Sequence, residues 1–219
     1  MDKKYCIFDL DGTLIDSMGY WMDTPREFLK SIGIKEEDGL EEALKMTMPM
    51  SVNEAAGYFI DKFKLDIKEQ DIIDNTSKIM QDHYRNDIPL KPGADKYIKA
   101  LYDAGKKLCV ASATEESLIY ECLERLGIAK YFDFALSCAT IGVSKHKPDI
   151  YIEASKRLGG KIEDSAVYED LLLTVKTAKD AGFYTIAKYD ENQKDDWTEI
   201  EKIADESICK WEDAIKEIK

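Results

Sequence analysis

Short apolar runs that end in polar turns alternate with longer amphipathic stretches over most of the chain. The first run, Tyr5-Cys6-Ile7-Phe8, stops at Asp9-Leu10-Asp11-Gly12-Thr13 and reads as a short strand with two carboxylates at its tip. Comparable runs are Lys107 to Ala111 ending at Ser112, Phe134 to Ser137, Ala166 to Tyr168 ending at Glu169-Asp170, and Phe183 to Ala187. Helical patterns separate them, stopping at Gly105, Gly127, Gly159-Gly160 and Gly182, the third opening at Pro148. Alternating elements at this spacing predict an α/β fold, a doubly wound parallel sheet with right-handed crossovers. A ligand site is then expected beyond the carboxyl ends of the strands.

Between the first strand and the rest, the pattern is helical only. Thr24-Pro25 reads as an N-cap and first-turn proline, with a helix to about Ser31 before Gly33. Ser51 and Glu54 have capping-box spacing and open a helix to about Lys62. A further amphipathic run covers about Lys68 to Asn86, and Pro89, Pro92 and Gly93 then punctuate the chain. The predicted organisation is a core of residues 1–15 and 89–219 with a helical insertion over 16–88. In the tail, Asp195 to Lys219, two short helical patterns flank Ile208-Cys209 and are expected to serve packing.

Composition narrows the function. The 219 residues carry a net charge of −13, which argues against a nucleic-acid surface. A phosphorylated ligand would need local positive charge from a metal ion, a lysine or backbone N–H groups. No apolar stretch approaches bilayer length, and two lysines run straight into the first strand, so no membrane role and a cytoplasmic location are expected. The five cysteines, an odd count without close pairing, also suit a reducing compartment; Cys6, Cys109 and Cys138 read as small apolar residues inside strands.

The candidate chemistry lies at the strand tips. Asp9 and Asp11 are two residues apart, so in an extended segment both project to one side. Alone, Asp-x-Asp-Gly is an ordinary turn, Ser112 a helix-entry residue, Lys145 a solvated loop lysine and Glu169-Asp170 a helix cap. In a parallel sheet, however, these tips face one crevice, and the groups arrive in order.

The set resembles the haloacid dehalogenase-like hydrolase superfamily over essentially the whole chain. Its first motif is matched by Asp9-Leu10-Asp11-Gly12-Thr13 with the continuation Leu14-Ile15-Asp16-Ser17, its second by Val110-Ala111-Ser112, and its fourth by Val167-Tyr168-Glu169-Asp170. The third aligns with Lys145-His146-Lys147-Pro148-Asp149-Ile150-Tyr151, where His146 replaces the usual proline. Lys145 is favoured as the motif lysine because the downstream Pro-Asp-Ile-Tyr sets the spacing; the rival register uses Lys147 through its Lys-Pro pair. Leu171 stands where the family has a small or hydroxylic residue, and a leucine cannot hydrogen-bond to a metal ligand or its water. The insertion resembles the family's C1 cap, as in phosphoglycolate-phosphatase-like and β-phosphoglucomutase-like members.

The resemblance implies an Mg²⁺-dependent phosphatase acting on a small phosphorylated metabolite. Asp9 would be the nucleophile that forms an aspartyl-phosphate, and Asp11 the acid and base. Mg²⁺ would be held by Asp9, the Asp11 backbone carbonyl and Asp170, with Glu169 as a direct or water-mediated ligand. Lys145 would offset negative charge, while Ser112 and the Ala113 N–H would hold phosphate oxygens. The alternatives are a phosphomutase of the β-phosphoglucomutase kind and a module that keeps the fold without turnover. A dehalogenase would not need the second aspartate, and phosphonate cleavage would require a Schiff-base lysine, for which Lys30 is available without a motif. The expected state is a monomer or weak dimer.

The insertion offers weaker signals. Tyr20, Trp21 and Met22, with Met46, Met48 and Met50, either wall the leaving group or, more simply, pack inside the helical unit. Arg26 and Arg85 could meet a second anionic group but are expected to be solvated. His83 reads as a surface residue of its helix and His146 as a loop residue.

Overall fold

Every residue of β1 (Tyr5–Phe8) is buried, and the chain leaves it through the tight turn at Gly12. The computed structural model describes residues 2–218 and divides into two units: residues up to Met18 with those from Ile88 onwards, and Gly19–Asp87.

The second unit is built on helices. Helix α1 (Met18–Ser31) starts well before Thr24-Pro25 and carries Pro25 in its interior, not in its first turn. Proline lacks the N–H that would continue the ladder, while the Thr24 hydroxyl donates to the Tyr20 carbonyl at 2.7 Å. The same Thr-Pro pair that reads as a helix start is thus accommodated about two turns inside. Helix α2 (Leu40–Thr47), not anticipated from the sequence, turns Leu40, Ala43 and Thr47 inward. Ser51 caps α3 (Val52–Phe63) as its spacing predicts: its hydroxyl accepts from the Glu54 N–H, and Glu54 accepts the Ser51 N–H at 2.8 Å. With α4 (Glu69–Asn86), these helices close over Phe28, Leu29, Leu40, Ala43, Ala56, Phe59 and Ile72.

The first unit then alternates as expected: α5 (Ala94–Asp103), β2 (Lys107–Ser112), α6 (Glu116–Arg125), β3 (Phe134–Ser137), α7 (Cys138–Ile141), α8 (Asp149–Arg157), β4 (Ser165–Glu169), α9 (Leu172–Asp180) and β5 (Tyr184–Lys188). The tail adds α10 (Trp197–Ile203), β6 (Glu206–Ile208) and α11 (Trp211–Ala214). Two local expectations change. Ile208 belongs to a three-residue edge strand, too short to leave a period, and Cys138 opens a short helix immediately after its strand.

The sheet order is β3-β2-β1-β4-β5-β6, and every pairing is parallel. This is the doubly wound arrangement, with the order reversing between β1 and β4. Alternate residues of β1 serve opposite faces. Ile7 joins Cys109, Leu136, Tyr151 and Val167 on one side, while Phe8 stacks on Tyr168 at 4.0 Å and faces Trp211 on the other. No described helix is long and apolar enough to cross a membrane.

Candidate active site

Phe8 pairs with Val110 on one side and Tyr168 on the other, so Asp9 emerges from the sheet exactly where the strand order reverses. The Asp9 N–H donates to the Tyr168 carbonyl at 2.9 Å, which fixes its backbone to β4. Its side chain is buried, and Oδ1 accepts from Lys145 Nζ. The same ammonium reaches Glu169 Oε1 at 2.7 Å. Of the two lysines in the loop before α8, Lys145 makes this bridge, while Lys147 and His146 are exposed.

Asp170 follows β4 and is 1% exposed. Thr13 donates to its Oδ1 at 3.2 Å, and Oδ2 is buried with no hydrogen-bond partner among the described residues. Gly12 makes this approach possible, since a Cβ there would lie 2.3 Å from Asp170 Oδ2 and its φ of +76° is left-handed. Asp9, Glu169 and Asp170 each present an oxygen within 4.8 Å of the others.

Electrostatics reinforce the picture. Three buried carboxylates face one ammonium. Burial, then the charge of Glu169, pushes Asp9 up to about 8 against the pull of Lys145. Burial also drives Asp170 well above the carboxylate range, helped by Asp9 and Glu169. Burial works against the Lys145 charge, but Asp9 and Glu169 outweigh it and hold the ammonium protonated. An all-oxygen donor set with excess negative charge and one orphaned buried oxygen fits a hard divalent cation.

Asp11 is held differently. Ser17 donates to its Oδ1 at 2.7 Å and Thr114 to its Oδ2 at 2.6 Å, with Ser112 Oγ more distant at 3.5 Å. Ser112 also accepts the Thr114 N–H at 3.1 Å, a hydroxyl-closed turn at the tip of β2, and Ala113 in that turn is exposed. The predicted residues Asp9, Lys145, Glu169 and Asp170 therefore form one contact group, and Asp11 and Ser112 a second, linked through the first motif.

Sequence reading missed the roles of several hydroxyl-bearing side chains, Ser17 on Asp11 among them. Thr13 and Thr114 orient the two aspartates, while Tyr151 and Thr174 donate to Glu169 Oε1 and Oε2 at 2.6 and 2.8 Å. Thr174 supplies, one turn along α9, the hydroxyl that half-exposed Leu171 lacks. Tyr151 had a signal in its motif position, but the hydroxyl's target did not.

In the helical unit the candidates separate. Arg26 is partly exposed and engaged by Asp23, Glu36 and Glu41, so its charge is already paired. His83 is no surface residue: its side chain is 14% exposed, and its two ring nitrogens meet Glu27 and Asp87 at 2.9 and 2.7 Å. Trp21, Met22, Met46 and Met48 are 46–67% exposed and do not fill the unit's core, contrary to the packing expectation.

The family model of the haloacid dehalogenase-like hydrolases matches residues 6–188. The chain belongs to that family. A phosphorylated carbohydrates phosphatase of Thermotoga maritima is 28% identical over 184 residues, covering 82% of both chains. A phosphoglycolate phosphatase of Mesorhizobium japonicum is 26% identical over 85% of this chain and 83% of its own length. Among solved structures, CbbY from Rhodobacter sphaeroides in complex with phosphate superposes with a TM-score of 0.70 at 22% identity, over 97% of this chain and 96% of that one. This haloacid dehalogenase-like hydrolase thus resembles, over most of its length, relatives named as phosphatases of phosphorylated carbohydrates and of phosphoglycolate.

Proposed function

We propose that the protein is a phosphatase that hydrolyses a small phosphorylated metabolite through an aspartyl-phosphate on Asp9. The observation that carries this reading is the group at the sheet reversal: a buried carboxylate with Lys145 on Oδ1, beside an Asp170 oxygen that has no partner. A phosphate dianion would be repelled by Asp9, Glu169 and Asp170, and among the described residues Lys145 alone is paired with that cluster, so a cation is required. Asp9 and Asp170, with Glu169 beside them, would hold it, and Mg²⁺ suits an oxygen-only set that shares the substrate phosphate. When bound, it supplies charge neutralisation for the transferring group.

The chain's own residues do the rest. Asp9 attacks phosphorus, forming the new P–O bond as the ester oxygen leaves. Asp11, steadied by Ser17 and Thr114, delivers a proton to that oxygen and then removes one from the water that cleaves the acyl phosphate. Lys145 and the hydroxyl of Ser112 stabilise the phosphoryl oxygens. Relatives named for phosphorylated carbohydrates and phosphoglycolate support a small organic phosphate as substrate.

The test is a panel of phosphorylated metabolites with Mg²⁺, reading both released phosphate and isomerised sugar phosphate. Phosphate release abolished by Asp9→Asn is the expected result. Undiminished release by that variant overturns the nucleophile assignment, and isomerisation dependent on a bisphosphate primer would make the protein a mutase.

A further inference from the structure

Glu169 is the most fully engaged carboxylate of the cluster. Its Oε1 accepts from Lys145 Nζ at 2.7 Å and from the Tyr151 hydroxyl at 2.6 Å, and its Oε2 accepts from the Thr174 hydroxyl at 2.8 Å. Asp170, by contrast, keeps one oxygen without a partner. The two neighbours in sequence therefore face different duties, one turned toward protein donors and one left with an open oxygen.

We propose that Tyr151 and Thr174 are positioning residues that lock Glu169 as the anchor of Lys145, and so fix the ammonium on Asp9. This inference rests on the phosphatase reading for its kinetic consequence but not for its geometry. Without fixed donors, Glu169 could turn on its side-chain torsions, drawing Lys145 away from Asp9 or presenting both oxygens elsewhere. Two hydroxyls from different helices, α8 and α9, remove that freedom, and both are buried. Packing does not require either of them. The Tyr151 ring already packs against Phe183 at 6.2 Å between centroids, and Lys145 Nζ lies 5.9 Å from its centre. A phenylalanine would keep both of those contacts and lose only the hydroxyl. The Thr174 hydroxyl also lies 2.9 Å from the Leu171 carbonyl, so its single proton has two acceptors and Tyr151 makes the less divided bond.

The division of labour also bears on specificity of charge placement. An ammonium held between two carboxylates sits where both attract it, and its location follows whichever carboxylate is the more rigid. Asp9 is tied through its backbone to β4, and Glu169 is tied through its side chain, so Lys145 is clamped from both ends.

The decisive experiment compares wild type with Tyr151→Phe, Thr174→Val and Thr174→Ser by two readouts. Labelling of Lys145 by acetic anhydride, followed by peptide mass spectrometry, reports whether its amine stays clamped and needs no turnover. Hydrolysis of p-nitrophenyl phosphate with MgCl₂ gives kcat and KM. Expected are a several-fold faster Lys145 labelling and a roughly tenfold lower kcat at nearly unchanged KM in Tyr151→Phe, the scale on which outer-shell partners act. Thr174→Val should shift both in the same direction, and Thr174→Ser should restore them. If Tyr151→Phe does not fold, the Thr174 pair decides. Wild-type labelling of Lys145 in the folded variants overturns the proposal. Absence of any hydrolysis by the wild type would instead count against the phosphatase reading, while labelling still judges the clamp.

Discussion

Thr13 donates to Asp170 Oδ1, and the other oxygen of that carboxylate is buried without a partner. The hydroxyl thus decides which oxygen remains for a cation. Thr13→Val, which keeps the shape and loses the donor, is expected to weaken divalent-cation binding about tenfold, as loss of an outer-shell partner does. Titration calorimetry with Mn²⁺ or Mg²⁺ measures it directly, and Thr13→Ser should recover wild-type affinity. Equal affinity in Thr13→Val would show that Asp170 is oriented by something else.

Gly12 is constrained twice over. Its φ is +76°, and a Cβ would come within 2.3 Å of Asp170 Oδ2. Gly12→Ala should cost about 1–3 kcal/mol of stability from the backbone alone, and the displaced carboxylate should abolish most cation-dependent activity. Urea denaturation monitored alongside phosphate release separates the two losses.

The two lysines of the loop before α8 make opposite predictions. Lys145 bridges Asp9 and Glu169, whereas Lys147 is exposed. Lys145→Ala should lower kcat by roughly a hundredfold or more, comparable to removing a donor that stabilises developing charge. Lys147→Ala should stay within about twofold of wild type, the small effect usual for an exposed side chain. Parallel steady-state kinetics on the two variants distinguishes them, and loss of activity in Lys147→Ala alone would reverse the assignment.

His83 gives the helical unit a pH-dependent tie. Burial pulls its pKa down, but hydrogen bonds to Asp87 and Glu27 raise it on balance. Tyr20 lies against the same ring, 4.9 Å between centroids. Because the folded value is raised, the stabilisation is fully present below the unfolded histidine value of about 6.5 and is lost as pH rises through the folded value. The stability gap between wild type and His83→Asn should therefore be widest near pH 5.5 and close toward alkaline pH. Denaturation midpoints across that range provide the check, and with only two histidines in the chain, a proton NMR titration assigns the folded value.

Legibility followed the range of the interactions. The strands β1, β2 and β4 and the residues at their tips were visible because each ends in an abrupt change from apolar to polar, which is a local signal. The Ser51-Glu54 cap was visible for the same reason. Pro25 misled because a proline accommodated inside a helix and a proline opening one look alike in sequence. The burial of His83 depends on Glu27, far away on another helix, and the engagement of Arg26 depends on residues beyond its own helix. Likewise the hydroxyls of Tyr151 and Thr174 acquire a purpose only when α8 and α9 bring them to Glu169. The exposed Trp21 and Met48 have an apolar character that sequence reads as burial, and only the folded packing contradicts it.

The placement of β1 between β2 and β4 has a consequence for biosynthesis. Tyr5 pairs with Lys107 on one side and Ser165 on the other, so the strand that leads into Asp9 is made first and completed by segments made much later. Loop closure over such separations is slow and comes late in folding. A nascent chain halted before β4 emerges carries Asp9 and Asp11 but no Glu169 or Asp170, and its central strand has one bare edge. Such a fragment has Asp9 without the two carboxylates that lie beside it in the folded sheet, and it exposes a template for intermolecular pairing until β4 arrives.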